Sequence, residues 1–128
     1  MQTKKTKEQT PAEKIELIEG KGAGHEHLFY WHIYADGVRA GQVYINEADD
    51  PALGKHASVS IFLNKTSQGR GIGRVGYREA CLNSGLNKVY AHMKKSNIMS
   101  KQAAFAAGFK EIDNMTFPQL VLVWERPA

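Results

Sequence analysis

Gln68-Gly69-Arg70-Gly71-Ile72-Gly73-Arg74 places three glycines and two arginines within seven residues. Such a stretch suits phosphate. Glycines adopt positive φ without a Cβ penalty, so several backbone N–H groups can converge on one anion. A helix beginning there adds its unpaired first-turn donors and the positive end of its dipole. Arg70 and Arg74 can supply full charges to the same spot. A second set of reactive side chains lies elsewhere: His32, His56 and His92 fall in strand-like stretches. An imidazole there can accept a proton from an amine near neutral pH, or can simply be a hydrogen-bonded structural histidine. Tyr77 and Tyr90 offer phenols as acids.

Other candidates carry less chemistry. His25-Glu26-His27 puts two potential ligands at i and i+2, on one face of a strand, but no partner set completes a metal site and none is expected. The single cysteine, Cys81, cannot form an internal disulfide, reads as a small helix residue and suits a reducing cytoplasm.

The elements that must position these groups follow from hydrophobic period and turn chemistry. Residues 14–19 alternate as a short half-buried strand, and 20–24 form a loop. Leu28 to Tyr34, Asp36-Gly37 and Val38 to Ile45 make a hairpin, because a two-residue Asp-Gly turn matches the twist of paired strands. Residues 46–55 read as a connecting loop. Ala57 to Leu63 puts Val59, Ile61 and Leu63 on one face and Ser58, Ser60 and Phe62 on the other, and feeds the glycine loop. A helix over 72–83 stops at Gly85, and a strand follows over 89–93. A second helix, capped by Ser96 or Asn97, runs to about Ala107. Residues 109–112 and 120–124 are two last strands, antiparallel and joined through 113–118. The order predicts an α+β domain with a mixed sheet rather than a β-α alternation.

The loop formally contains Gly-x-Gly-x-x-Gly at 71–76, but Asn64 to Gln68 intervene between strand and loop and no acidic residue ends the next strand, so a dinucleotide site does not follow. No Gly-Lys-Ser/Thr supports a nucleoside-triphosphate loop. Gln68-Gly69-Arg70-Gly71-Ile72-Gly73 instead resembles the Gln/Arg-x-x-Gly-x-Gly/Ala pyrophosphate loop of the GNAT superfamily of acyl-CoA N-acetyltransferases. Asn97-x-x-Ser100 followed by Gly108-Phe109 resembles that family's second conserved helix, in register with the first match over roughly residues 58–109.

The resemblance implies a mostly antiparallel GNAT-like sheet flanked by helices, with the initial helices reduced or absent because residues 14–30 are too few for them. It implies acetyl-CoA as cosubstrate, its pyrophosphate on the amides of Gly69 through Arg74. Its pantetheine arm would run along Ile61, Phe62 and Leu63, with Gln68, Ile72, Gly73, Asn97 and Ser100 completing the site. A thioester carbonyl polarised by a fixed N–H would then be attacked directly by a primary amine in a ternary complex. Two departures stand out. Ala104 occupies the position of the family's usual tyrosine acid, and Ser58 lies near that of its glutamate base. His92 and His56 are the replacement bases, with His32 a third candidate from a neighbouring strand.

At 128 residues, 42% hydrophobic and 23% charged, the chain fits one folded domain over 14–128 behind a flexible basic tail over 1–13. No membrane span, secretory leader or nucleic-acid motif is evident, and a cytoplasmic location is expected. The net charge of +4 favours anionic partners, and Lys94, Lys95 and Lys101 could meet the CoA 3′-phosphate. The acceptor is open: a protein lysine or N-terminus, a polyamine or other small amine, an antibiotic, or aminoacyl-tRNA. Residues 120–124 could pair across a homodimer. The competing function is a CoA-binding regulatory protein that has lost catalysis; a basic nucleic-acid-binding module ranks behind both.

Overall fold

Asp36 and Gly37 both take positive φ, at 52° and 83°, which gives the tight mirror-image turn that a twisted hairpin requires. This turn joins β2 (Phe29–Ala35) to β3 (Val38–Asp50) in a computed structural model that describes residues 10–21, 24, 26–112 and 118–128. The other elements are β1 (Ile15–Glu19), β4 (Gly54–Leu63), α1 (Ile72–Ser84), β5 (Lys88–Met93), α2 (Ile98–Ala106), β6 (Lys110–Glu111) and β7 (Leu120–Glu125). The strands form one sheet in the order β1-β2-β3-β4-β5-β7-β6.

The connecting loop expected at 46–55 is much shorter. β3 continues to Asp50 and β4 starts at Gly54, with Asn46 opposite Ser58 and Asp49 opposite Lys55. Asp50 explains the economy: its Oδ1 accepts the N–H of Ala52 at 2.8 Å and of Leu53 at 3.3 Å, turning the chain within Pro51–Leu53. The last strand pair is antiparallel as expected, although β6 is only two residues long and residues 113–117 of its connection lie outside the described set.

One face of the sheet is the core. Ile33, Val43, Ile45, Val59, Val89 and Ala91 point into it and are fully buried. α1 lies on this face so closely that a Cβ at Gly76 would stand 2.7 Å from Ile61 Cδ1, and α2 packs beside it with Ala103 Cβ 3.1 Å from where a Gly73 Cβ would be. The opposite face carries Tyr30, His32, Tyr44, His56, Tyr90 and His92, and no helix among the described residues covers it. No helix occurs among the described residues between β1 and β2 either.

Every neighbouring strand pair is antiparallel except β4 and β5, which share a single parallel pair, Ser58 with Tyr90. Beyond it β4 runs to Leu63 and β5 to Met93 without pairing further with each other. The strands splay, and backbone groups there are left for another partner. No helix among the described residues is long and apolar enough to cross a membrane.

Candidate cofactor cleft and histidine face

The splay opens on a cleft of about 530 Å³ between β4, the glycine loop, α1 and α2. Ile61, Phe62 and Leu63 line it from β4, Gln68, Gly69, Gly71, Ile72, Gly73 and Arg74 from the loop and first turn of α1, and Asn97 and Ser100 from α2. The loop reaches this shape through Gly69 and Gly71, both at φ 76°. Gly71 is also the N-cap of α1; among the described residues no side chain caps the helix, and no acidic residue lies in its first turn, so its leading N–H groups are left for a ligand. Among the described residues, Arg74 is the one charged side chain of the lining.

Arg70 departs from its expected place. Its side chain does not line the cleft: Nε donates to the Thr10 carbonyl at 2.8 Å and a terminal nitrogen pairs with Asp36 at 3.3 Å. The expectation that Arg70 adds charge at the phosphate is therefore corrected, for its side chain is turned to the back of the loop. Lys94, Lys95 and Lys101 are also absent from the lining.

Asn97 caps α2, its Oδ1 accepting the Ser100 N–H at 3.2 Å, which leaves its amide NH2 for a ligand. Tyr77, on α1, lines the same cleft, which Ser100 also lines from α2. Burial pushes its phenol above the usual range against an opposing influence of the Ser100 hydroxyl, so it remains protonated. Ala104, one turn beyond Ser100, is fully buried. The sequence reading missed Met99, Gln102, Ala103 and Ala106 in the lining; Met99, Ala103 and Ala106 repeat at helical spacing along the face that carries Ser100, a signal that was available.

His56 and His92 come together on the open face. Their Nε2 atoms are 2.8 Å apart, and His56 Nδ1 lies 2.7 Å from the Gly54 carbonyl. A carbonyl only accepts, so His56 carries its proton on Nδ1. In the neutral pair its Nε2 then accepts from His92 Nε2–H, and the free lone pair is on His92 Nδ1. Burial, and after it the nearby His56, lower the His92 pKa against an opposing pull from Asp50. His92 sits two residues past Tyr90, on the part of β5 that no longer pairs with β4.

His32 does not join them. It lies on β2, three strand positions from β5, about 14 Å across the sheet at about 4.8 Å per strand. Its Nδ1 is buried without a hydrogen-bond partner among the described residues, and burial followed by the charge of Arg39 lowers its pKa. His27 donates to Asn46 Oδ1 at 2.6 Å and packs its ring at a tilt against Tyr44; His25 lies outside the described residues, among which no group of three or more His, Cys, Asp or Glu could hold a metal. Burial raises the Cys81 thiol to about 12, which leaves it inert.

No protein-family model matches the sequence, and no curated protein matches it either. Solved structures do. RimJ from Mycobacterium smegmatis, in complex with CoA-disulfide, superposes with a TM-score of 0.65 at 19% identity over 81% of this chain and 56% of its own. An aminoglycoside acetyltransferase, AAC(6')-Ib, in complex with coenzyme A and kanamycin, gives 0.62 at 17% over 77% and 66%. An acetyltransferase of the GNAT family from Streptococcus pneumoniae gives 0.61 at 17% over 82% and 70%. The chain thus spans little more than half of RimJ and about two thirds of the aminoglycoside enzyme. It has the mixed-sheet fold of the GNAT acyl-CoA N-acyltransferases.

Proposed function

We propose that the protein is an N-acetyltransferase that moves acetyl from acetyl-CoA to a primary amine by direct attack in a ternary complex. The observation that carries this reading is the cleft itself. A splayed strand, a two-glycine loop and an uncapped helix N-terminus open on one space, in a fold whose neighbours include proteins crystallised with coenzyme A or CoA-disulfide. The Gly69, Arg70, Gly71, Ile72, Gly73 and Arg74 amides take the pyrophosphate, β4 from Ile61 to Leu63 lies along the pantetheine arm, and Asn97 and Ser100 hold its other side.

The chemistry then divides between the two faces. The amine nitrogen attacks the thioester carbonyl carbon; a C–N bond forms, the C–S bond breaks, and the electron pair leaves with sulfur. His92 Nδ1, the free lone pair of the histidine pair, takes the amine proton, and His56 steadies the imidazolium through Nε2. Tyr77, protonated and within the cleft, returns a proton to the thiolate in place of the absent tyrosine at Ala104. The uncovered face around His92 receives the acceptor.

Calorimetry with CoA and acetyl-CoA tests the cofactor, and mass spectrometry of an extract supplied with isotopically labelled acetyl-CoA seeks the acceptor. Absence of CoA binding would falsify the proposal. Micromolar CoA binding with no acetylated product in the extract or on a broad amine panel favours the competing CoA-binding regulatory protein, which buried Ala104 motivates.

A further inference from the structure

Among the residues ahead of β1, Thr10 to Lys14 lie across the back of the glycine loop. The Ala12 N–H donates to the Arg70 carbonyl at 3.1 Å, and Arg70 Nε returns a bond to the Thr10 carbonyl at 2.8 Å. Asp36, at the hairpin turn, accepts the Glu13 N–H at 3.1 Å and the Lys14 N–H at 2.7 Å, donates its own N–H to the Lys14 carbonyl at 2.7 Å, and pairs with Arg70. The part of the tail expected to be flexible over 10–13 is thereby tied to two distant turns.

We infer that this strap of Thr10–Lys14, Asp36 and Arg70 is a positioning device that holds the glycine loop in its phosphate-binding shape. An anion nest works only if the carbonyls between its amides point away from the anion. Arg70 stands between Gly69 and Gly71, the two residues at φ 76°, and flanking glycines offer little resistance to a peptide flip. The Ala12 N–H holds the Arg70 carbonyl on the outer side, where the flip would break a bond. The Arg70 side chain, 17% exposed, secures that strap to the rigid hairpin. Arg70 thus acts through the backbone, from behind, and its charge never meets the ligand.

The inference rests on the proposed cofactor site, so its test reads the loop both with and without ligand. Backbone relaxation in the natural chain should give order parameters near about 0.85 at Gly69, Arg70 and Gly71. In Arg70→Gln, in Asp36→Asn and in a chain lacking residues 1–12, they should fall toward about 0.6 while those of α1 beyond its first turn hold. In the same samples CoA affinity should drop roughly tenfold, the order expected for losing one charged hydrogen-bonded link. Arg70→Lys, which keeps the charge to Asp36, should recover part of the loss, and the Arg70→Gln/Asp36→Asn double variant should be no worse than either single one. Unchanged loop order in all three variants overturns the strap whatever CoA does. A natural chain with an ordered loop and no CoA binding overturns the cofactor site and leaves the strap standing.

Discussion

The cofactor cleft and the histidine face meet at the gap between β4 and β5, yet they are made of different material. The cleft is mainly backbone: two left-handed glycines, a helix N-terminus and an unpaired strand edge, with one charged side chain in its lining. The histidine face is side chain, its two rings brought together from residues 36 apart in sequence. A site of the first kind recognises a phosphate by conformation. A site of the second kind moves a proton by the identity and tautomer of one nitrogen. Substitutions on the two sides should therefore separate binding from rate.

The widest separation is expected at His92. His92→Gln keeps a polar side chain and removes the proposed base, so acetyl transfer to the acceptor found by labelling should fall about a hundredfold, within the range of a lost general base. The dissociation constant for acetyl-CoA in calorimetry should not move. Equal loss of both would merge the two regions and remove His92 from catalysis.

Gly71→Val approaches from the other side. A β-branched residue at φ 76° costs about 1–2 kcal/mol, and the loop relieves that strain by leaving the left-handed region and turning its amides from the cleft. CoA affinity should weaken about tenfold. The ring signals of His56 and His92 in NMR should stay where they are, and a shift in them would mean that the loop also shapes the histidine face.

This contrast also decides what could be read from the sequence. The loop, α1 and α2 were legible because their determinants are local: Gly71 and Gly85 bound α1, Asn97 caps α2 three residues from its partner, and the strand feeding the loop alternates on its own. Long-range choices were not. Arg70 faces away from the cleft because Thr10 and Asp36, 60 and 34 residues distant, hold its guanidinium. The loop expected over 46–55 shrank because Asp50 spends its carboxylate on two turn amides, which composition alone does not reveal. His32 shares a strand-like context with His56 and His92, but its distance from them depends on strand order across the sheet.

Asn97 serves both sides of this division, since one oxygen caps a helix and the amide beside it faces the cleft. Asn97→Ala should cost about 1 kcal/mol through the lost cap, lowering the thermal midpoint by about 4 °C. Asn97→Asp should restore the midpoint, because a carboxylate caps as well, while weakening CoA binding through charge repulsion. Recovery of both properties by Asp would show that Asn97 acts only as a cap.

The smallest effect is electrostatic and belongs to the histidine face alone. His92 titrates below the usual 6.5 because burial, and then His56, disfavour its charged form. An unfolded chain therefore binds the proton more readily below pH 6.5, and stability rises with pH through the window between the folded value and 6.5, being complete above it. His32 adds to the same slope, its pKa being lowered too. His92→Gln should flatten the rise of the urea midpoint between about pH 5 and 7 without abolishing it. Ring titration by NMR gives the finer check. Asp50→Asn removes a charge that favours the imidazolium and should lower the His92 midpoint, whereas His56→Gln removes an opposing one and should raise it. Nitrogen shifts of the neutral rings should report Nδ1–H on His56 and Nε2–H on His92, as the Gly54 carbonyl requires. The reverse tautomer on His92 would turn its basic nitrogen toward His56 and leave the acceptor face without a base.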